Sequence, residues 1–249
     1  MAISCQSNAP YLWSVTEYHQ LIKNRLIGVQ GPTELISGRI ICPCWQQQSA
    51  HQVVVQQLRL GLKNKLKHRV LVRSQQPVLL GVDSEPKPDI AIVLGGDARY
   101  EHHMPTPVEI ALIIEVTEGD LVLDSYLKAI DYAEAGIPDY WVFDIKRQQL
   151  YVFRDIFNGS YCETRVLGVG ESISPLWFPE LTMTICKPTR RCLLTRYGRR
   201  QSTLPATPFM FKWQETAPSA QLATSAANAS TALVAVGHGS SASLKTAVN

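Results

Sequence analysis

The feature that most constrains this chain is a single carboxylate inside an otherwise apolar run. Ile110-Ala-Leu-Ile-Ile-Glu-Val116 is hydrophobic at every position except Glu115. Such a run, without alternation, reads as a central strand buried on both faces. A carboxylate there is costly unless it is paired with a cation or binds a metal. Upstream, Pro88-Asp89 opens a second apolar strand, Ile90 to Leu94, which Gly95-Gly96 ends. If the two strands pair, Asp89 and Glu115 reach one divalent ion. Oxygen donors that leave positions for water and phosphate suit Mg²⁺, and such an ion activates water and neutralises phosphodiester charge. A plainer reading stays open here: Glu115 pairs with a Lys or Arg, and Asp89 caps a turn after Pro88.

Around these strands the chain reads as alternating helices and short strands. Ser14-Val-Thr-Glu17 fits a capping box opening a helix to about Asn24. Apolar residues on either side of Ser37-Gly38 predict a β-hairpin over 34–41. Val54, Val55, Leu58, Leu62 and Leu66 recur at helical spacing over 50–66. Val70–Val72 and Val78–Leu80 read as short strands. Asp124 to Ala135 reads as a helix stopped by Gly136 and Pro138. Tyr140–Asp144 and Leu150–Phe153 read as strands, and further strand-like pieces run to about Ile185. The sequence therefore divides into an extension over 1–12, a folded domain over 13–186 and a tail over 187–249. The tail is basic to residue 200. After Ala217 it is mostly Ala, Ser and Thr, too poor in large apolar groups to offset the entropy of ordering, which predicts disorder.

Composition narrows the function class. No run approaches the ~20 apolar residues that span a bilayer, and the first residues lack a signal-peptide pattern. Six scattered cysteines read as reduced cytosolic thiols, which places the chain in the cytoplasm. The net charge of +3 hides a segregation. Between Glu34 and Asp83 there are seven basic residues and no acid; from Asp83 to Asp144 there are fourteen acidic residues and three basic ones. That suits a protein holding a polyanion and a metal cation together, or it is a chance asymmetry on solvated faces. Arg59, Lys63, Lys65, Lys67, Arg69 and Arg73 are the candidate phosphate contacts.

The run from Pro88-Asp89 through Glu115-Val116 to "DSYLKAIDYAEAGIPDYWVFD" (Asp124–Asp144), with the "TELISG" hairpin at Thr33–Gly38 and His51, resembles the Uma2 family. The resemblance covers roughly Trp13 to Ile185. It implies the fold of the PD-(D/E)XK restriction endonucleases: an α/β (α+β) domain with a mixed β-sheet flanked by helices. It also implies a Mg²⁺-dependent nuclease core, with Mn²⁺ able to substitute and no organic cofactor. Residue by residue, Asp89 matches the Asp of the Pro-Asp motif and Glu115 the second acidic ligand. The Val116 backbone carbonyl matches the third ligand of this fold. Lys128 matches the family's helix lysine, in the pattern Asp124, Lys128, Tyr132. Glu34 matches the hairpin glutamate; with His51 and Asp124 it is an accessory candidate.

The sequence departs from the general nuclease pattern at one informative place. The usual lysine stands two residues after the second acid, and here that position is Thr117. The resemblance implies that Lys128 on the following helix takes over its charge-stabilising role. The helical wheel objects. Tyr126, Ala129, Ile130 and Ala133 share one face, which puts Lys128, Asp131 and Tyr132 on the opposite, solvent-facing stripe. His51 lies on the Val54, Val55, Leu58 stripe and reads as a structural histidine, with a general base or DNA contact as its functional role. Tyr132 and Trp141 read as core.

The expected function is that of a Mg²⁺-dependent endonuclease hydrolysing DNA phosphodiester bonds, a homodimer because cutting both strands needs two sites. The alternative is a catalytically silent module of the same fold that binds nucleic acid or protein. Thr117, and the excess of acids outside the basic tail, favour that alternative.

Overall fold

In the computed structural model the described residues are 10–29, 31, 33–42, 49–100, 103–118, 127–187 and 210–215. Asp124, His102 and the Ala/Ser/Thr-rich stretch after 217 lie outside them. All the described residues but Glu215 belong to one compact unit.

Helix α1 (Val15–Lys23) opens on the expected capping box. The Ser14 hydroxyl accepts from the Glu17 N–H, and the Glu17 carboxylate accepts from the Ser14 N–H at 2.9 Å. Strands β1 (Glu34–Ile36) and β2 (Arg39–Ile41) form the expected hairpin. Ser37 and Gly38 both adopt positive φ at its turn. A Cβ on Gly38 would lie 2.8 Å from Leu12 Cβ, so the N-terminal segment packs directly on this turn.

Six strands make the main sheet, in the order β3 (Val70–Arg73), β4 (Ile90–Leu94), β5 (Ile110–Thr117), β6 (Tyr140–Asp144), β7 (Gln149–Phe157) and β8 (Ser160–Leu167). All neighbours are antiparallel except β5 and β6, whose connection carries helix α3 (Lys128–Glu134). The sheet is therefore mixed, as expected. Every residue of β5 is buried, so it is the central strand that its apolar run predicts. Helix α2 (Ser49–Leu66) lays Val54, Val55, Leu58, Leu62 and Leu66 on one face of the sheet, against Ile90, Ile92, Leu112, Ile114 and Val116. Helix α3 packs Ala129 and Tyr132 on the other face, against Ala91, Ile113 and Tyr140. The period-2 alternation of β5 thus sends Ile114 and Val116 toward α2, and Ile113 and Glu115 toward α3.

Three expectations are corrected. Val78–Leu80 is not a strand; its N–H groups donate instead to the carbonyls of Pro86, Pro105 and Ser84 in irregular loops. The strand read over Leu150–Phe153 runs from Gln149 to Phe157, and Asn158 and Gly159, with φ of 49° and 72°, form a two-residue turn into β8. The folded chain also does not end near 186. Strand β11 (Met210–Glu215) joins β10 (Leu181–Cys186) and β9 (Ser172–Ile173) in a second sheet. Phe211 enters the α2-side core and meets Phe143 edge-on at 5.1 Å. Trp213 lies so close to Gly61 of α2 that a Cβ there would sit 2.3 Å from its indole nitrogen.

Candidate functional site

Strand β4 begins at Ile90, opposite Ile114 of β5. One step further toward the sheet rim, Asp89 stands beside Glu115. The Asp89 N–H donates to Glu115 Oε2 at 3.2 Å, and the Val116 N–H donates to Asp89 Oδ2 at 2.9 Å. The strand pairing therefore continues past the end of β4 through the two carboxylates. Backbone N–H and C=O of one strand residue point to the same side, so the Val116 carbonyl is directed to the edge where Asp89 lies. Asp89 is fixed from behind. The Ser74 hydroxyl and the Gln75 N–H donate to its carbonyl at 2.9 and 3.2 Å, and the Gln75 amide reaches Oδ1 at 3.3 Å.

Helices close the site from both faces of the sheet. From α2, His51 Nε2 lies 2.9 Å from Asp89 Oδ2, and the His51 N–H donates to Glu118 Oε1 at 3.0 Å. From α3, Lys128 Nζ donates to Glu115 Oε1 at 2.9 Å and lies 3.2 Å from Glu34 Oε2 on β1. The Tyr132 hydroxyl donates to the same Glu115 oxygen at 3.1 Å. Burial, and then the Glu115 carboxylate, push the Tyr132 hydroxyl well above its ordinary pKa, so it remains a donor. Asp89, Glu115, Lys128, Glu34 and His51 thus come together from five separate elements or their edges.

Lys128 is 6% exposed, against the solvent-facing position that the helical wheel predicts. The wheel fails chiefly on one side: Ala129 and Ala133 of its apolar face are buried as it predicts, but the polar stripe is buried as well. Asp131, one turn on, is buried, and it accepts from the Ser37 N–H at 3.0 Å, the Ser84 hydroxyl at 2.6 Å and the Ser37 hydroxyl. These bonds fasten α3 to the hairpin that carries Glu34. Ile130, placed on the apolar face by periodicity, is 50% exposed.

The donor chemistry fits a hard divalent cation. Glu34, Asp89 and Glu115 are all buried. Three carboxylates thus gather about one ammonium, that of Lys128, with the His51 imidazole on Asp89, in a region where a carboxylate needs a cation beside it. Glu34 Oε2 accepts no hydrogen bond, although Lys128 is within ion-pair distance. Among the described residues no three His, Cys, Asp or Glu side chains form a ready-made metal cluster. An ion here would rest on two carboxylates and a main-chain carbonyl, which leaves several positions for water and phosphate.

The basic residues do not gather at this site. Arg59 follows His51 by eight positions along α2, about 12 Å at ~1.5 Å per residue, and its Nε is bonded to Gln56. Lys63 and Lys67 are exposed further along, and Lys65 is half-buried. Arg69 pairs with Glu180 and lies over the Phe178 ring at 5.0 Å. Arg73 donates to the Pro77 carbonyl at 3.1 Å, and burial lowers its guanidinium pKa. Arg69 and Arg73 are thus engaged by the protein itself. Of the site, sequence reasoning missed Glu118, Ser74, Gln75 and the serine clamp on Asp131. It placed Tyr132 in the pattern with Lys128 and in the core, where it lies, but not its bond to Glu115.

No helix among the described residues is long and apolar enough to cross a membrane. No curated protein matches the chain. The chain is similar to a solved protein from Anabaena variabilis, titled a "putative nuclease belonging to DUF820": 17% identity, TM-score 0.50, covering 62% of this chain and 86% of that one. That likeness supports the nuclease-like fold. The family model of Uma2, described as "Putative restriction endonuclease", matches residues 15–186. With more than half of its length matched, this chain belongs to the Uma2 family.

Proposed function

We propose that this chain is a Mg²⁺-dependent endonuclease, with Mn²⁺ as a substitute, that hydrolyses DNA phosphodiester bonds and acts as a homodimer. The observation that carries the reading is the meeting of Asp89, Glu115 and Lys128 at the rim of the sheet, with Glu34 as a third carboxylate beside the lysine. Asp89, Glu115 and the Val116 carbonyl would hold the ion. When bound, it would supply Lewis-acid neutralisation of phosphodiester charge and a lowered water pKa.

The protein groups have separate tasks. His51 and the Val116 N–H fix the Asp89 carboxylate, and Tyr132 and Lys128 fix that of Glu115. The Lys128 ammonium sits where it can shift from its two glutamates toward negative charge developing on a phosphate. Because it comes from α3, Thr117 need not be a lysine. Arg59, Lys63 and Lys65 along α2, and Lys67 just past its end, offer contacts to a DNA backbone leading away from the site.

A second reading rests on the same ion group. Lys128 held between Glu115 and Glu34 is also a stable buried network, which a silent binding module would keep. A plasmid cleavage assay with Mg²⁺, Mn²⁺ or EDTA separates the two. Metal-dependent nicking or linearisation that disappears in Asp89→Ala and Lys128→Ala supports the nuclease. DNA binding without cleavage by the unmodified protein, with either metal, refutes it.

A further inference from the structure

We propose that a second copy of this chain docks on the outer edge of β8, by antiparallel pairing about a two-fold axis at Thr164. Among the described residues β8 ends the main sheet. It is eight residues long, and every residue from Cys162 to Val166 is exposed. A long exposed edge presents unpaired backbone groups to any strand of matching register.

The ladder of the main sheet fixes which groups point outward. The Ile113 N–H donates to the Asp139 carbonyl and the Ile145 N–H to the Thr117 carbonyl, so Tyr140, Val142 and Asp144 face the other way, to β7. Their partners Phe153, Tyr151 and Gln149 face β6, which leaves Leu150, Val152 and Arg154 facing β8. Leu167, Arg165 and Glu163, paired with these three, direct their backbone groups inward, and Thr164 and Val166 direct theirs outward. Nearer the turn the ladder is interrupted, because Asp155 has positive φ and does not pair with Cys162. Two copies can then pair only in registers that match outward residues with outward residues.

Charge selects among those registers. Centred on Thr164, Glu163 faces Arg165 of the second copy and Arg165 faces its Glu163, two opposite-charge pairs related by symmetry. Centred on Glu163, two carboxylates meet; centred on Arg165, two guanidiniums meet. Like charges directly opposite one another are destabilising. Within one chain neither Glu163 nor Arg165 has a hydrogen bond or ion pair among the described residues. Apolar surface accompanies the edge. Val166 is 49% exposed, and Leu176, 47% exposed, lines a surface groove together with Arg165.

The pairing makes one twelve-stranded sheet. The two-fold axis is perpendicular to the sheet, so the Asp89/Glu115 sites open at opposite rims, eight strand spacings apart across the sheet, about 38 Å at ~4.8 Å each. That both sites act on one substrate rests on the nuclease reading; the pairing itself does not.

Sedimentation equilibrium of the full chain tests it. The unmodified protein is expected to dimerise. Glu163→Arg alone and Arg165→Glu alone each set like charges opposite at two symmetric positions, and each should weaken dimerisation about tenfold or more. The double variant Glu163→Arg/Arg165→Glu restores both opposite-charge pairs and should recover the dimer. Thr164→Cys in a Cys162→Ser background should form an intermolecular disulfide on mild oxidation, and Cys162→Ser alone should not. A monomer at ~100 µM, single charge variants that dimerise like the unmodified protein, or cross-linking by Glu163→Cys in place of Thr164→Cys would overturn the proposal. Plasmid cleavage followed in parallel separates it from the proposed activity. Cleavage with a dimer indifferent to these charges removes the interface alone, and the expected dimer pattern without cleavage removes the nuclease alone.

Discussion

Removing the Lys128 ammonium is the sharpest test of how this site is held. The side chain is 6% exposed, with Glu115 Oε1 at 2.9 Å and Glu34 Oε2 at 3.2 Å. Lys128→Met keeps most of the volume and strands both carboxylates. Breaking a buried ion pair by deleting one partner costs ~3–5 kcal/mol, because the remaining charge is left uncompensated. Glu115 keeps the Tyr132 hydroxyl and the Asp89 N–H, so the cost belongs near the lower end of that range. At ~2–4 °C per kcal/mol for a domain of this size, about 3 kcal/mol becomes roughly 6–12 °C in Tm. Urea and thermal unfolding in EDTA, followed by circular dichroism, measure it. Adding Glu34→Gln removes one stranded charge and should return part of the loss. Mg²⁺ should stabilise Lys128→Met more than the unmodified protein, since the vacated region is more negative. A lysine on a solvated helix face contributes ~0–1 kcal/mol. If Lys128→Met shifts stability by less than ~0.5 kcal/mol, the burial of this lysine and the mechanism built on it are both refuted.

Other outcomes follow from separate parts of the structure. Asp139 is fully buried beneath Arg154, whose Nε lies 2.8 Å from its Oδ1. Burial raises its carboxyl pKa above the ordinary 3.8, with the Arg154 hydrogen bond the largest opposing influence. The folded state then holds this proton more tightly than the unfolded chain, so the group's contribution is greatest below the ordinary value and is lost as pH rises through the folded pKa. Urea unfolding against pH should show the unmodified protein losing stability relative to Asp139→Asn as pH rises from about 4; a flat difference would exclude the raised carboxyl. Gly61→Ala drives a methyl into the Trp213 indole and should cost about 1–3 kcal/mol, recovered by adding Trp213→Leu, with a red-shifted tryptophan emission reporting the displaced ring. Lys63→Gln and Lys67→Gln should each flatten the slope of log affinity against log salt for duplex DNA by about one unit; unchanged slopes would remove the C-terminal end of α2 and the turn after it from the DNA path.

The fold was legible wherever one periodicity dominated. The α1 capping box, the α2 stripe, the apolar β5 run and the Gly136 stop all fall where pattern and propensity agree. Two misses came from short-range signals outweighed by other features. Asn158-Gly159 is a strong hairpin dipeptide, yet the mixed polarity of Ser160–Leu167 blurs the bounds of a strand read only as one of several pieces before Ile185. Val78–Leu80 is as apolar as a strand but has no neighbour to ladder with, and Pro86 and Pro105 offer carbonyls to it instead. Strand β11 follows a basic stretch, and it is held by Phe211 in the core and by Trp213 against Gly61, contacts between residues about 70 and 150 positions apart that no local pattern encodes.

The site was legible in its carboxylates and illegible in its helix, for one reason. A hydrophobic wheel assigns the inward face to apolar residues, which holds only when the surface facing the helix is apolar. Here α3 faces β5 where that strand carries Glu115, and faces a hairpin turn that supplies the Ser37 N–H and hydroxyl. The complementary inward residues are therefore a cation for Glu115, a phenol for the same oxygen and a carboxylate for the serines: Lys128, Tyr132 and Asp131. Each would be costly alone in a core, and each is satisfied by a group that lies from 13 to 94 residues away. The same argument accounts for Thr117. A lysine two residues after Glu115 would share its face of β5 and compete for the carboxylate that Lys128 already occupies. The strand can therefore carry a small β-branched residue there, provided that the serine clamp on Asp131 keeps α3 in register. Loosening that clamp with Asp131→Ala should then impair the site by moving Lys128, a displacement that the distance between Lys128 and Glu115 in a crystal structure of the variant would reveal.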